Sequence, residues 1–286
     1  MNLDGAVSFV WRDGRLLERA MLAQTLNLEP PGRVGDVLRA YATADGGFGY
    51  GLEADVCAPE SQPLFLEFAL TVLHDWGLRA PDLATAACRY LEGAADLERG
   101  IVTLHRSARA HAYAPHWEAP GAYEPATDRL VGIVGLLNWQ GISDPWLARA
   151  VEACRRHIAA LRADDAHTIR GMLILLESLS LQGADVTAER ARLAALLARA
   201  RFLIREAPVQ GYGLTPLDFT PAPDGWCRDL FTETQYAGHL ADLAGRQGPD
   251  GGWPITWEPP GEAAGWVWRA HVTVRALAVL RAWGMA

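Results

Sequence analysis

The stretch RQGPDGGW, residues 246–253, ends in DGGW, and a similar tetrapeptide, DGGF, stands at residues 45–48. A second pair of repeats follows the same pattern, because GYGL stands at 49–52 and again at 211–214. Both GYGL copies are followed within a few residues by an acid, Asp55 after the first and Asp218 after the second. Repeats of this kind between helices are typical of helical arrays, in which stacked units bury a shared core. We therefore expect a helical array in which only some units retain the turn motif.

Apolar residues recur with the helical period over most of the chain. No run of alternating β-branched residues is long enough for a central strand. The sequence therefore predicts an all-α fold, and its 286 residues allow one large domain, which we expect over 1–286. The periodicity predicts helices at about 5–25, 32–43, 61–77, 81–94, 126–140, 144–162, 165–182, 186–206, 228–246 and 270–284.

Four long segments lack helical periodicity, at about 44–60, 95–124, 207–227 and 247–269. Loops of this length are uncommon in compact domains and are usually either functional or disordered. These loops are rich in Gly and aromatic residues, and much of the Trp content falls in the last two of them or at their edges, namely Trp226, Trp253, Trp257, Trp266 and Trp268. We therefore expect ordered loops whose aromatic side chains pack together or bind a ligand.

The segment RQGPDGGW at 246–253 resembles the Gln-and-Trp repeat of triterpene cyclases such as squalene–hopene cyclase. The segment DGGFGYG at 45–51 is similar to the GGF segment that these cyclases share with the β-subunits of protein prenyltransferases. The whole chain also resembles a bacterial group of prenyltransferase-like proteins. The resemblance implies an α/α toroid of five or six helical hairpins in a ring, with Gly-rich turns at the hairpin ends. It also implies an apolar central cavity and an apolar, terpenoid-like ligand.

Two catalytic motifs of that superfamily are missing from the sequence. Class II terpene cyclases protonate an alkene or an epoxide through the middle acid of DxDD, and class I enzymes hold magnesium with DDxxD, but neither string occurs here. The nearest string is Asp164-Asp165, which lies between two predicted helices and suits a helix cap. The resemblance therefore supports the fold and counts against both ordinary activities.

Protein prenyltransferases hold zinc with an Asp-x-Cys segment after GGF and with a distant His. Asp55 and Cys57 stand near that offset here, but the segment at 123–127, where the family places its His, reads YEPAT. His111 and His116 lie nearby and are the alternative ligands, although their spacing matches no strong metal motif. We therefore expect no tightly bound metal, and the sequence implies no other cofactor.

Glu53 and Asp55 follow the first GYGL and form the best candidate catalytic pair, with Asp218 as a third acid. Loop glycines allow positive φ and close approach, so they can direct neighbouring side chains into a shared space. Apolar aromatic walls would raise the pKa of at least one of these acids and keep it available as a proton donor. The alternative is that the acids cap helices and pair with Arg129 or Arg269. We expect the substrate-binding wall to include Trp117, Tyr123, Tyr212, Trp253, Trp257 and His271.

The composition of the chain limits the partners and the chemistry that we expect for this protein. The formal net charge is −8 at pH 7, which argues against a nucleic-acid-binding protein. Every one of the 26 residues counted as Lys or Arg is Arg, which excludes Schiff-base and Ser–Lys chemistry. The sequence has no apolar run long enough for a membrane span and no secretory pattern near its start, so we expect a cytoplasmic protein.

These observations leave three functions open. The first is an enzyme that cyclises or isomerises a terpenoid-like molecule by acid-initiated chemistry in a Trp-lined cavity. The second is a non-catalytic protein that binds an apolar ligand or acts as a scaffold. The third is a carbohydrate-active α/α-barrel enzyme, because Trp-lined clefts with paired carboxylates also suit sugars.

Overall fold

The structure, a computed structural model, describes residues 1–29, 32–160 and 165–286 and confirms the all-α fold class. Within these ranges the backbone forms helices and short 3-10 turns, and the β contacts are isolated bridges. The chain divides into two compact units. We call them the terminal unit (Met1–Val37 and Arg201–Ala286) and the middle unit (Leu38–Ala200). The single domain expected over 1–286 remains a prediction.

The described residues form twelve α-helices. The terminal unit contains α1 (Leu3–Asp13), α2 (Leu16–Thr25), α10 (Pro216–Phe219), α11 (Glu233–Gly245) and α12 (Glu262–Ala282). The middle unit contains α4 (Pro63–Asp75), α5 (Pro81–Ala94), α6 (Thr127–Trp139), α7 (Pro145–Ala160), α8 (Ala166–Leu181) and α9 (Thr187–Leu197), and α3 (Arg33–Arg39) contains the boundary between the units. The 95–124 segment carries three 3-10 turns, at Arg106–Ala110, Pro115–Glu118 and Pro120–Tyr123. None of the helices in the described ranges is both long and apolar enough to cross a membrane.

The predicted helix at 5–25 is two helices, because the chain is extended at Gly14 and Arg15, where ψ is 147° and 176°. Arg15 then starts α2 through a capping interaction, in which its backbone N–H donates to Glu18 Oε2 at 3.0 Å. Hydrophobic periodicity can continue across such a break, so periodicity alone does not reveal it.

Two other predicted helices have different limits. The helix expected at 186–206 ends at Leu197. Beyond it, Phe202 adopts a φ of 56° and Leu203 forms a bridge with Leu214, so the rest of the predicted range is not helical. The helix expected to begin at 270 begins at Glu262. The Trp-rich segment assigned to a loop therefore lies partly on the first turns of α12.

Asp165 has the role that its position predicted. Its side chain accepts hydrogen bonds from the backbone N–H groups of His167 (2.9 Å) and Thr168 (3.3 Å), which caps the N-terminus of α8. Its neighbour in the sequence, Asp164, lies outside the described residues.

The core of the middle unit forms around α6, which packs against α4, α7 and α8. Residues 130–138 of α6 are all buried. Glycines let α6 and α8 approach at backbone distance, because a Cβ built on Gly135 would lie 2.8 Å from the backbone nitrogen of Leu175. A Cβ on Gly171 would lie 2.9 Å from the Cα of Gly132. This close crossing fixes the position of α8 relative to α4 and α6.

The two DGG turns share one backbone geometry. Gly46 and Gly251 have φ values of 92° and 93°, a region that favours glycine. Each packs directly on helix backbone, Gly46 on the carbonyl oxygen of Ala86 in α5 and Gly251 on that of Gly5 in α1. A Cβ at either position would overlap that oxygen. The repeat in the sequence is therefore a repeat of structure, with one copy in each unit.

Gln247, the glutamine of the RQGPDGGW motif, has a structural role. Its Nε2 donates to the carbonyl oxygens of Asn2 (2.7 Å) and Gly251 (2.9 Å), and its Oε1 accepts from the Asn2 N–H at 2.6 Å. Asn2 is in turn the N-cap of α1, where its side chain accepts from the Gly5 N–H at 3.0 Å. The motif thus joins the C-terminal turn to the start of the first helix.

Candidate functional site

The loop that carries Glu53 and Asp55 is held by backbone hydrogen bonds on two sides. Within the loop, Gly51 N donates to the carbonyl oxygen of Ala58 at 2.9 Å. On its other side, Ala114 N donates to the Asp55 carbonyl oxygen at 2.7 Å, and Val56 forms a bridge with Tyr113. The Gly-rich loop is therefore joined to the 95–124 segment, which places its acids beside that segment's aromatic residues.

Both acids of this loop are buried. Glu53 is 5% exposed and Asp55 is 3% exposed. Glu53 Oε2 accepts a hydrogen bond from the Asp55 backbone N–H at 3.0 Å, so the loop itself orients one carboxylate. Asp55 Oδ2 lies 3.5 Å from Nε2 of His116, whose side chain is 43% exposed. The arrangement connects a buried carboxyl group to a histidine that solvent can reach.

Trp117 and Tyr123 lie on the two adjacent 3-10 turns that follow. The Trp117 ring lies 4.7 Å from the ring of His116, which places it next to the acid loop. Tyr123 is buried, and the guanidinium of Arg109 lies over its ring at 4.2 Å. The structure therefore brings four predicted site residues into one part of the middle unit, two acids on one loop and two aromatic residues on the segment joined to it.

The arginines considered as alternative partners of these acids have other partners. Arg129 pairs with Glu67 on α4, and Arg269 makes a bidentate pair with Asp250 at 2.8 and 2.9 Å. The role of Glu53 and Asp55 as catalytic acids or as structural caps remains a prediction.

The residues of the zinc comparison do not form a ligand set. Cys57 is exposed, and its backbone N–H donates to the carbonyl oxygen of Ala112 at 2.8 Å. The two histidines face different acids: His111 Nε2 lies 3.5 Å from Glu60 Oε2, whereas His116 Nε2 lies 3.5 Å from Asp55 Oδ2. Across residues 1–29, 32–160 and 165–286, no group of three or more His, Cys, Asp or Glu is arranged to hold a metal ion.

Asp218, the third predicted acid, occupies the start of α10. Its Oδ2 accepts from the backbone N–H (2.7 Å) and hydroxyl (2.9 Å) of Thr215, which forms a capping box. Its Oδ1 lies 3.4 Å from the guanidinium of Arg275 on α12. Both of its oxygens thus have partners within the terminal unit.

The two GYGL copies differ in conformation, unlike the DGG turns. In the first copy the positive φ values belong to Tyr50 (59°) and Gly51 (62°), whereas in the second the positive φ belongs to Gly211 (74°). Tyr212 of the second copy is exposed, and its ring lies 6.2 Å from that of Phe202 in an edge-to-face arrangement. The shared letters therefore do not place Tyr212 as the first copy places its loop.

Trp253 is a structural residue of the second DGG turn. It is 2% exposed, and its indole Nε1 donates to the carbonyl oxygen of Leu243 at the end of α11 at 2.7 Å. Its backbone N–H donates to the hydroxyl of Thr273 on α12 at 2.9 Å. These bonds join the turn to α11 and α12.

Trp257 and His271, both predicted for the ligand-binding wall, belong to one cluster of the terminal unit. Trp268 joins them, because its ring lies 5.1 Å from Trp257 and 5.5 Å from His271, edge to face in both cases. His271 Nδ1 lies 3.9 Å from Oε1 of Glu18 on α2. Burial lowers the pKa of His271, with Glu18 opposing that effect, so the imidazole is neutral at pH 7.

Glu18 is the functional candidate that the sequence analysis missed. It is fully buried, and Arg15 donates to it from NH2 at 2.8 Å and from Nε at 3.1 Å. Burial opposes ionisation, but the charge and hydrogen bonds of Arg15, with a further contribution from the nearby imidazole of His271, lower the pKa of Glu18 to about 2. The available signal was an Arg and a Glu three residues apart on a helix, which indicates an ion pair but not its burial.

A second missed cluster lies between α4 and α8 in the middle unit. His74 Nδ1 lies 3.1 Å from Asp75 Oδ1, and the guanidinium of Arg170 lies 3.5 Å from the same oxygen. Burial raises the pKa of Glu177, while the charges of His74 and Arg170 partly counter that effect. Arg170 and Glu177 stand seven residues apart on α8, a spacing that places them on one face of the helix and was the available signal.

Six of the nine predicted site residues form two groups, one in each unit. Glu53, Asp55, Trp117 and Tyr123 share the loops of the middle unit, whereas Trp257 and His271 share the cluster of the terminal unit. The convergence of all nine residues on one cavity remains a prediction.

Comparison with solved structures identifies the fold. A protein from Actinoplanes is similar over 98% of this chain and 97% of its own, with 16% identity and a TM-score of 0.55. The type II terpene cyclase MstE from Scytonema, in its apo form, is similar over 99% of this chain and 98% of its own, with 14% identity and a TM-score of 0.51. A variant of MstE in complex with its substrate, geranylgeranyl dihydroxybenzoate, is similar over 99% of this chain and 96% of its own, with the same identity and score.

Neither a family model nor a curated protein matches this sequence. At identities of 14–16% the structural likeness concerns the fold and leaves the activity open. It does confirm the architecture that the Gly-rich turns predicted, because the helices follow those of a terpene cyclase along nearly the whole chain. The fold is all-helical and similar to that of a type II terpene cyclase.

Proposed function

We propose that this protein binds an apolar, terpenoid-like molecule and cyclises or isomerises it by protonating a carbon–carbon double bond. The observation that carries the proposal is the pair of buried carboxyl groups, Glu53 and Asp55, on a loop fixed beside Trp117. The likeness in fold to a type II terpene cyclase supports the same class of ligand.

The proposed reaction conserves atoms. Glu53 or Asp55 gives its proton to one carbon of an alkene, and the π electrons form the new C–H bond and leave a carbocation on the other carbon. In a cyclisation, a second double bond of the same molecule attacks that cation and closes a ring. Loss of a proton from a neighbouring carbon then forms a new double bond, so the product is an isomer of the substrate.

Neighbouring side chains support two steps of the proposed reaction, the stabilisation of the carbocation and the return of a proton to the carboxylate. Electron-rich aromatic faces stabilise cations, and Trp117 and Tyr123 are aromatic residues on the segment joined to the acid loop. His116 lies 3.5 Å from Asp55 and is partly exposed, so it is placed to return a proton from solvent to the carboxylate after each turnover. Asp218, with a capping box and an arginine partner, fits a structural role better than that of a proton donor.

The proposal is tested with the amide variants Glu53→Gln and Asp55→Asn, with Glu60→Gln as a matched control on the same loop. Each protein is incubated in D₂O with a C20 isoprenoid alcohol and with a geranylgeranyl-substituted phenol, and products are analysed by mass spectrometry. We expect isomeric products that carry one deuterium at the protonated carbon. One amide variant should lose more than about 100-fold in turnover, a typical contribution of general acid catalysis, while circular dichroism and thermal stability stay near those of Glu60→Gln.

Four other outcomes would contradict the proposal and identify what replaces it. Unfolding of both amide variants would make the acids structural caps. Full turnover in both would move the proton donor elsewhere, with Glu177 as the next candidate. Tight binding of the isoprenoids without turnover would favour a non-catalytic binding protein. Cleavage of a saccharide substrate would favour a carbohydrate-active enzyme.

A further inference from the structure

Two hydrogen-bond donors in the loops of the proposed site have no partner. Trp117 Nε1 and the Tyr123 hydroxyl are both buried, and neither has a hydrogen-bond partner among the residues that the structure describes. They stand six residues apart on consecutive 3-10 turns that contact each other. Most buried polar atoms in proteins are hydrogen-bonded, so two such donors in adjacent turns require an explanation.

Backbone hydrogen bonds fix the two turns that carry these donors. A shift of the backbone therefore does not explain why the two donors have no partner. Trp117 N donates to the Ala114 carbonyl oxygen at 2.9 Å, and Ala114 in turn is bonded to the acid loop. The Ala122 carbonyl oxygen, next to Tyr123, accepts from Thr103 N at 3.0 Å and from Leu104 N at 2.9 Å. A buried donor left unsatisfied destabilises a protein by about 1–3 kcal/mol. A fold that holds two such donors in fixed positions has them ready for an acceptor that comes from outside the chain.

We infer that Trp117 Nε1 and the Tyr123 hydroxyl donate hydrogen bonds to oxygen atoms of the ligand, so that the substrate class is an oxygenated terpenoid rather than a hydrocarbon. The inference rests on the proposed function and adds to it the chemistry of one end of the ligand. Both groups act as donors here, since an indole N–H has no acceptor capacity and a phenol hydroxyl donates readily.

The charges of the site indicate which oxygen the ligand presents. The Arg109 guanidinium lies over the Tyr123 ring, and a cation in that position makes the hydroxyl a stronger donor. The buried carboxyl groups of Glu53 and Asp55 lie on the adjoining loop, where an anionic acceptor such as a carboxylate or a phosphate would repel the carboxylate that forms when either acid gives up its proton. A neutral oxygen fits both conditions. The ligand group is therefore an ether, a carbonyl or a hydroxyl.

The test uses a pair of probes that differ only in the acceptor. Farnesyl methyl ether accepts hydrogen bonds and donates none, and the second probe is the hydrocarbon in which a CH₂ group replaces its oxygen. Dissociation constants are measured by calorimetry for the unaltered protein, for Trp117→Phe and for Tyr123→Phe. Tyr113→Phe, at a half-buried tyrosine of the same segment, is the matched control.

We expect the unaltered protein and Tyr113→Phe to bind the ether more tightly than the hydrocarbon. Trp117→Phe and Tyr123→Phe should each weaken binding of the ether by about 2- to 10-fold more than binding of the hydrocarbon, as expected for the loss of one neutral hydrogen bond. In the absence of ligand, Tyr123→Phe should keep or raise the melting temperature, because it removes a hydroxyl that has no partner. In ¹⁵N spectra, the indole signal that Trp117→Phe removes should shift when the ether is added and stay in place when the hydrocarbon is added.

The results that overturn the inference differ from those that overturn the proposed function. A fall of several degrees in the melting temperature of ligand-free Tyr123→Phe would show that its hydroxyl has an internal partner, which sinks the inference whatever the enzyme does. Equal affinity of the unaltered protein for both probes, or no binding of either, would also refute it. Loss of the ether preference in these variants, together with full turnover in Glu53→Gln and Asp55→Asn, would support the inference and refute the proposed acid chemistry.

Discussion

Glu18 provides a sharp test of the terminal unit, because a fully buried carboxylate there is held by the helix residue three positions earlier. Replacing it by Gln keeps the size of the side chain and one oxygen acceptor but removes the charge. The pKa of Glu18 is lowered from the ordinary value of 4.5 to about 2, and the first favourable cause is the charge of Arg15. We therefore expect Glu18→Gln to destabilise the protein at neutral pH.

The magnitude follows from the pKa. A group that binds its proton less tightly in the folded than in the unfolded protein contributes stability above its unfolded pKa, and that contribution declines as the pH falls through the folded pKa. The difference between 4.5 and about 2 corresponds to roughly 3 kcal/mol at pH 7. By the same relation it falls to roughly 2 kcal/mol at pH 3.5. The stability gap between the unaltered protein and Glu18→Gln should narrow accordingly on acidification.

The assay is urea denaturation followed by circular dichroism at pH 7, 4.5 and 3.5. The matched control is Glu98→Gln, because Glu98 also pairs with an arginine, Arg156, at 3.0 Å, but with side chains that are 62% and 73% exposed. Exposed pairs of this kind contribute little to stability, so the control should leave the denaturation midpoint almost unchanged. Equal effects of the two variants at pH 7 would refute the assignment of Glu18. A gap that stays constant down to pH 3.5 would refute the pKa argument.

Three further predictions concern glycines and one buried acid. Gly252→Ala should destabilise the protein by roughly 1–3 kcal/mol in urea denaturation, because the new Cβ would lie 2.6 Å from an aromatic ring of α1. Its control is Gly245→Ala, which should be neutral or stabilising because a Cβ there would meet no atom within 4 Å. Gly135→Ala should lower the free energy of unfolding by a similar amount, because the new Cβ forces α6 away from α8. Its helical control, Gly93→Ala, should stabilise the protein by up to about 1 kcal/mol. Equal effects within either pair of variants would contradict the packing described. Burial raises the pKa of Glu177, so the folded protein holds this proton more tightly than the unfolded chain and loses stability as the pH rises above the ordinary carboxyl pKa. Glu177→Gln should remove that loss. Parallel curves of stability against pH for the two proteins between about pH 4.5 and 7 would contradict this prediction.

Local features of the chain were predictable because the interactions that produce them span few residues. The cap at Asp165 depends on the N–H groups of the next three residues, and the DGG turns depend on glycines that accept positive φ. The GYGL repeat shows the limit of that argument. Its two copies share four letters, but different neighbours impose different φ values on them, so Tyr212 has no structural counterpart in Tyr50.

Helix limits depended on more than periodicity. The break at Gly14 follows from an extended turn and from the Glu18 carboxylate that caps the next helix, a contact that the apolar pattern does not record. The start of α12 at Glu262 was missed for a different reason. The Trp residues of that segment suggested a loop, although large side chains fit a helix equally well when one face of it packs against other helices.

The amino-acid sequence by itself determined the all-α class, the Gly-rich turns and the acid-bearing loop, because helical periodicity, glycine conformation and caps act over a few residues. Only the tertiary structure decided which side chains share a site. Glu18 and His271 come together because α2 packs against α12, although 253 positions separate them in the numbering (271 − 18). The same holds for the unpartnered donors of Trp117 and Tyr123. Whether a polar atom has a partner depends on every chain segment packed around it, and no sequence pattern states which segments those are.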